Sequence, residues 1–430
     1  MKSRLSLASL PRDVLVLLNG PAAYGLKKGE PALFDARTLR LLEFPTFFIR
    51  RHYVESGRRA SPHTWRDAAF AMASWIEFLA DLGIPDLHIA GRPELVAYRE
   101  MYETGVSPLT KRPYATVTIA NRMSVIAAFY ERSFEWGWHS DASMRQLSTW
   151  SPFRPPLDRS ALSHLGRVDR PRYWTDLAPK RRPNKSTIRP FMAAEIPAFL
   201  QALGPRATEQ ISDPRPCRDR LIGDFGLFVG LRNDEIHQLT RCQVERMRPD
   251  SAAPAAEQPL SIVGKGRKKR IVAVPNWLVL DALAYITTER AAALLARADC
   301  VAEPPDLFLS GLEANAPGRP ISHRRFQQVI EEACLRTNLI LKENVTDPGT
   351  GQIFVRERAS HCVHDLRHTY AVLTYWFEKR NGNPEPWKKI QAQLGHAQLT
   401  TTINTYLSFV EIFGQHGHLF DARRLLGIEP

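Results

Sequence analysis

The chain has 430 residues, too many for one ordinary core, and predicts two or three domains. Its 58 Lys and Arg against 45 Asp and Glu leave a net charge of +13, which favours a polyanionic partner over an acidic small substrate. A hydrophobic content of 44% argues against a disordered chain, and no run reaches the roughly 18 uninterrupted apolar residues of a membrane span, so no membrane partner is expected.

Residues 1–43 read as an N-terminal arm or cap to which no role is assigned. Within it, Val14-Leu15-Val16-Leu17-Leu18 is too brief for a signal segment and is predicted to be a helix of the arm. Residues 44–150 read as an all-helical domain. Thr64 to Leu79 repeats apolar residues at three- and four-residue steps, and Thr116 to Trp136 places Ile119, Met123, Ile126, Ala127 and Tyr130 on one face. Aromatic residues at that spacing are expected in the core rather than against bases.

The texture then changes. Ser151 to Pro190 holds seven prolines and ten Lys or Arg against three Asp, a net charge of +7. The stretch 151–186 is predicted to be a basic, proline-rich linker, with Arg181, Arg182 and Lys185 tracking a phosphate backbone. From 187 to 410 helices dominate again, predicted at Ala193–Leu200, Arg218–Phe228, Trp277–Arg297 and Ser322–Leu335. Two β-rich runs, Leu260–Gly264 and Arg270–Pro275, flank a basic turn and predict a hairpin. The expected fold class is therefore α+β: mainly α, with a small antiparallel sheet in the second domain. Five cysteines without close spacing argue against a disulfide framework or structural zinc and point to the reducing cytoplasm.

Four local motifs carry chemistry. Gly230-Leu231-Arg232 places an arginine beside a glycine turn. Gly264-Lys265-Gly266-Arg267-Lys268-Lys269-Arg270 sets five cations at the hairpin tip. In His364-Asp365-Leu366-Arg367-His368, His364 and Arg367 share one helical face and can both reach one phosphate. His361 lies nearby, but the pattern lacks the glutamate of zinc-protease helices, so no metal is expected. Finally, Leu394-Gly395-His396 precedes Tyr406 by a short helical stretch.

In this order the motifs resemble the tyrosine recombinase, or phage integrase, family over roughly Thr187 to Leu407. The helical segment 44–150 is similar to that family's core-binding domain. The resemblance implies Tyr406 as nucleophile, with Arg232, Lys265, His364, Arg367 and His396 assisting; Lys268 is the other candidate for the lysine. His364 is expected to help proton transfer from Tyr406 and His396 to hydrogen-bond the phosphate. Arg267, Lys268, Lys269 and Arg270 are expected to contact DNA. Tyr406 stands ten residues after His396, where many members have nine. A pocket of cations is expected to favour the phenolate, whose unperturbed pKa is about 10.

The implied activity is site-specific DNA strand exchange on a mobile element through a covalent 3′-phosphotyrosine, with no cofactor, metal or ATP. The implied partners are double-stranded DNA at recombination sites, a homotetramer on synapsed DNA (monomer or weak dimer when free) and accessory DNA-bending proteins. The tail 411–430 is expected to dock on a neighbouring protomer, and the protein to be nucleoid-associated in the cytoplasm. Two other readings stand beside this one: a strand-relaxing enzyme like type IB topoisomerases, and an inactive DNA-binding regulator.

Overall fold

A computed structural model describes residues 13–18, 26–56, 61–107, 110–139, 177, 188–209, 213–264, 268–297, 302–346, 351–396 and 398–414. The chain divides into two compact units, Met1–Lys185 with Val345–Phe354, and Ser186–Asn344 with Val355–Pro430.

In the first unit, β1 (Val14–Leu17) pairs antiparallel with β2 (Ala32–Asp35), in the register Val14 to Asp35 through Leu17 to Ala32. The helix expected at Val14–Leu18 is thus a strand. Val14 and Val16 turn inward while Leu15 and Leu17 face out, a period of two that a five-residue window does not distinguish from a helix. The hairpin is tied down where the Val14 N–H donates to Glu77 Oε1 at 3.2 Å.

Four helices follow: α1 (Glu43–Ile49), continued as a π-helical turn over Arg50–Val54, α2 (Pro62–Asp81), α3 (Arg92–Thr104) and α4 (Thr116–Glu135). Ser61 caps α2 by accepting the Thr64 N–H, and Pro62 occupies the first turn, where its missing donor is harmless. The aromatic residues of α2 and α4 close the core as expected. Buried Trp75 donates its indole N–H to Tyr130 Oη at 3.0 Å, and Tyr130 donates onward to the Leu87 carbonyl at 2.9 Å. Of the basic stretch 151–186, only Leu177 is described; it is 2% exposed within this core. Arg181, Arg182 and Lys185 lie outside the described residues.

The second unit runs α5 (Ile196–Leu203), α6 (Cys217–Phe228), α7 (Asn233–His237), α8 (Arg241–Glu245), β3 (Glu257–Val263), β4 (Lys269–Pro275), α9 (Asn276–Thr287), α10 (Glu289–Leu295), α11 (His323–Arg336), the parts of β5 (Ile340–Thr346) and β6 (Ile353–Ala359) outside 345–354, α12 (Val363–Arg380), α13 (Pro386–Leu394) and α14 (Leu399–Gly414). Strands β3 and β4 form the expected antiparallel hairpin, with Leu260, Ile262, Val272 and Val274 buried on one face. The β5–β6 ribbon is a second two-stranded sheet that the sequence pattern does not foretell. Helix α12 lies against α6, burying Val363, Leu366, Tyr370 and Ala371 in a core that also takes Ile222, Phe225 and Leu394. Among the described residues no helix is long and apolar enough to cross a membrane.

Candidate active site

Arg367 is the centre around which the motifs converge. It enters from α12, whose start is fixed by Asp365: Oδ2 accepts the Cys362 N–H at 2.9 Å, and Oδ1 accepts the Arg189 N–H at 3.3 Å. The Arg367 side chain is 1% exposed and donates to the Gly230 carbonyl at 2.6 Å and to the Leu394 carbonyl at 2.5 Å. One guanidinium therefore joins the Gly230-Leu231-Arg232 turn to the end of α13. Gly230 has φ +71°, and a Cβ there would lie 2.7 Å from the Tyr370 ring, so this backbone carbonyl reaches Arg367 only because the position is glycine.

Glu235, 2% exposed, holds the other cations. Its Oε1 accepts from Arg232 Nη1 at 2.9 Å and Arg270 Nη1 at 2.5 Å, while Oε2 accepts the Arg232 N–H at 2.9 Å and Arg270 Nη2 at 2.8 Å. Arg367 lies 3.8 Å away. Burial alone would raise this carboxyl, but the hydrogen bonds from Arg270 and from the Arg232 N–H, with both charges, hold it at about 2. Burial and the neighbouring Arg232 charge bring Arg367 down to about 9 despite Glu235. Three guanidiniums thus surround one carboxylate, and the surplus positive charge suits an incoming anion.

Arg270 departs from its expected place among the DNA-facing cations. Its guanidinium turns inward to Glu235 and donates Nε–H to the Gln393 carbonyl at 3.2 Å, because position 270 alternates onto the inner side of β4. Lys268 and Lys269 are exposed at the hairpin tip. Lys265 and Arg267 lie outside the described residues.

The other half of the site comes from α13 and α14. Helix α13 ends in the left-handed region at Gly395, φ +65°, where the Gly395 and His396 N–H groups both return to the Gln391 carbonyl at 2.8 and 3.2 Å. A Cβ on Gly395 would meet Arg270 Cδ at 2.7 Å. The turn delivers His396, whose Nδ1 pairs with Thr402 Oγ1 at 2.8 Å. Thr402 and Tyr406 are one turn apart on α14, and the Tyr406 ring lies parallel to His396 with centroids 6.5 Å apart.

Tyr406 is 1% exposed, and its hydroxyl pairs with His368 Nδ1 at 2.9 Å. His364 therefore does not hold the position expected of it. It stands a ring away, edge-on to His368 with centroids 4.5 Å apart, because successive histidines at i and i+4 climb the helix and the upper one meets α14. His368 is visible in the sequence as part of the motif, but its spacing from Tyr406 along the chain carries no information about distance. Thr402 and Gln393 carry no sequence signal either; Gln393 accepts the Ala273 N–H at 2.9 Å and donates to the Ala273 and Val229 carbonyls at 2.9 and 3.0 Å.

Burial pushes the Tyr406 phenol up to about 12, against the pull of Arg367 and Arg232. The expectation of a ready phenolate is corrected accordingly: the phenol is out of water, and desolvation outweighs the cations. Burial, with neighbouring positive groups, also lowers His368 to about 3 and His396 to about 4, so both imidazoles are neutral near pH 7. His361 stacks on Phe191 with centroids 3.9 Å apart and pairs through Nδ1 with Ser360 Oγ at 2.7 Å. Among the described residues no group of three His, Cys, Asp or Glu could hold a metal ion. A cavity of about 850 Å³ opens beside His364 and His368, with Arg189, Glu331 and Arg358 also on its walls.

No family model matches the chain, and no curated protein matches it. Among solved structures it is similar to XerH site-specific recombinase bound to a palindromic difH substrate, a post-cleavage complex, at 15% identity and TM-score 0.49, covering 84% of this chain and 81% of that one. It is also similar to the Tn1549 transposon integrase in complex with circular intermediate DNA, at 14% identity and TM-score 0.42, covering 83% and 93%. A lambda integrase dimer bound to a COC′ core site matches at 15% identity and TM-score 0.43, covering 83% and 95%.

Proposed function

We propose that this protein is a site-specific DNA recombinase that cuts and rejoins strands through a covalent 3′-phosphotyrosine on Tyr406. The observation that carries the reading is the meeting of a buried phenol, Arg232, Arg367 and neutral histidines, drawn from segments far apart in sequence, around a place with surplus positive charge. A phosphodiester needs that set: donors on its non-bridging oxygens and one oxygen nucleophile.

Tyr406 Oη attacks phosphorus, giving up its proton to a motif histidine, of which His368 Nδ1 faces the hydroxyl at 2.9 Å, as the bond from phosphorus to the 5′ oxygen breaks and its electrons leave with that oxygen. Arg232 and Arg367 stabilise the charge that builds on the non-bridging oxygens. His396, oriented by Thr402, is close enough to the Tyr406 ring to serve the same phosphate. Lys265 supplies the proton to the departing 5′ oxygen, with Lys268 as the alternative. The phosphotyrosine ester conserves the bond energy, so a 5′-hydroxyl from another duplex reverses the step without ATP. Strand exchange between two duplexes requires four such sites, hence a tetramer assembled on DNA.

The test is a pool of random-sequence duplexes, each nicked so that the short fragment bearing the freed 5′-hydroxyl diffuses away after cleavage. The native protein is expected to yield covalent protein–DNA adducts on a denaturing gel, equally in excess EDTA, and Tyr406→Phe none. Absence of adducts with the native protein overturns the reading, and adducts that survive in Tyr406→Phe remove Tyr406 as nucleophile.

A further inference from the structure

The first unit carries a cavity of about 500 Å³ walled by Glu43, Phe44, Phe47, Arg51, Trp136 and Trp138. Local structure builds it. Phe44, Phe47 and Arg51 stand three and four residues apart along α1 and its π-helical continuation, so they share a face. Helix α4 ends opposite them. Gly137 takes φ +72°, and the Trp136 and Trp138 N–H groups return to the Arg132 and Ser133 carbonyls at 2.8 and 2.7 Å. The reversal sets both indoles against α1: Trp138 meets Phe44 and Phe47 with centroids 4.9 and 5.6 Å apart, and Trp136 meets Phe47 at 6.1 Å. Phe44 is backed by His88, edge-on at 4.8 Å. The rings meet at steep angles and wall a space rather than fill it, with Phe47 44% exposed. Packed interiors tolerate few voids larger than a water molecule, whereas an aromatic hollow of this size has the dimensions of a ligand site.

Arg51 decides the class of ligand. Its exposed guanidinium stands over Trp136 at 5.1 Å and over Phe47 at 5.8 Å from the ring centroids. The cation–π position is therefore already taken, which disfavours a cationic guest such as an alkylammonium group. The same charge attracts an anion, while the indoles offer π faces to a planar group. Glu43 adds an acceptor for a planar group that carries N–H donors on its edge. A nucleobase with its phosphate unites those three properties. We propose that this cavity is a nucleotide site: the base stacks on Trp136 and Trp138, Glu43 accepts from its amine edge, and Arg51 pairs with its phosphate. The nucleotide is either free or an unpaired member of a single DNA strand, and the recognising chemistry is the same for both. The site goes beyond strand cleavage and does not rest on Tyr406, since every residue in it belongs to the first unit.

The test titrates the full-length protein, labelled at its indole nitrogens, with dGMP, deoxyguanosine and deoxyribose 5-phosphate. The NMR signals of Trp136 and Trp138 are followed, assigned through Trp136→Phe and Trp138→Phe. dGMP is expected to shift both signals and saturate in the millimolar range, deoxyguanosine to bind more weakly, and the sugar phosphate to leave both signals in place. Trp138→Ala is expected to weaken dGMP binding by roughly 5- to 150-fold, the worth of one base stacked on an aromatic ring, while Trp138→Phe keeps a ring and most of the affinity. Arg51→Gln is expected to bring dGMP down to the affinity of deoxyguanosine. Indole signals that ignore dGMP in the native protein overturn the proposal, and that titration needs no variant to fold. So does a Trp138→Ala variant that melts with the native protein and binds dGMP as tightly. An equal response to the sugar phosphate also overturns it, because Arg51 would then be a plain anion contact. The tetranucleotide d(TTGT) distinguishes the two sources and upholds the site either way: tighter binding than dGMP at these indoles assigns a strand, equal binding a free nucleotide. Binding is expected unchanged in Tyr406→Phe and in a protein that forms no covalent adduct, so this proposal and the recombinase reading fail separately.

Discussion

Glu235 stands at the point where two motifs from opposite ends of the second unit are locked together. Its carboxylate is shared by Arg232 and Arg270 and lies 3.8 Å from Arg367, so it sets the spacing of the cations that would meet a phosphate. Glu235→Gln keeps the shape but leaves three guanidiniums without their counter-charge, and is expected to cost about 3 kcal/mol in denaturant unfolding. Retention of native stability in that variant would show that the arginines find other partners. The buried histidines make a separate prediction about acid. His368 and His396 titrate near 3 and 4 in the folded chain, below the ordinary value of 6.5, so between those limits the unfolded chain binds more protons. Their contribution to stability is complete above about 6.5 and is lost as pH falls toward 4 and 3. The melting temperature is expected to fall over that window, and the fall to flatten in the double variant His368→Gln, His396→Gln. Unchanged steepness would show that other groups govern acid sensitivity. Tyr406 acts at the opposite end: its raised pKa removes stability as pH climbs from about 10 to 12.

Arg232, Arg367 and His396 of the candidate site are carried near element ends, where geometry is set by caps rather than by propensity, whereas Tyr406 sits in the middle of α14. Helix α12 begins with Asp365 holding its own N-terminus and the Arg189 backbone, and α13 ends with Gly395 in a conformation that a side chain resists. Gly395→Ala is expected to cost about 1–2 kcal/mol from backbone strain alone. It should lose adduct formation more steeply than stability, because the added Cβ would enter Arg270 and shift His396. Measuring both on one preparation separates the effects; a variant that melts early yet cleaves at the native rate would deny Gly395 its positioning role. These element-scale features are partly legible in the sequence. The patterns at Thr64–Leu79, Thr116–Trp136 and 260–275 carry enough periodicity and turn chemistry to place α2, α4 and the β3–β4 hairpin. Strands β1, β5 and β6 are not legible, since strands of four and seven residues owe their form to pairing with a distant or polar neighbour rather than to their own pattern. Nor can helical spacing say which of His364 and His368 meets α14, because that depends on how two helices cross.

The net charge of +13 predicts that DNA binding weakens steeply with salt. Lys268 and Lys269 are exposed on the hairpin, whereas Arg270 is folded onto Glu235. Replacing Lys268 or Lys269 by Gln is expected to lower the slope of log affinity against log salt by about 0.9 for each phosphate that the variant no longer neutralises. Arg270→Gln should instead reduce stability and leave that slope nearly intact; a drop of a full unit in Arg270→Gln would return it to the DNA-facing set. The amino-acid sequence by itself determined the α+β class and the cationic character, because residue type, charge and periodicity are local properties of the chain. Tertiary structure alone decided which imidazole meets the phenol, which arginine turns inward, and that Tyr406 rests as a neutral, buried phenol. Those outcomes turn on distances between groups such as Arg232, Arg270, His368 and Tyr406, which packing brings together and linear spacing does not encode.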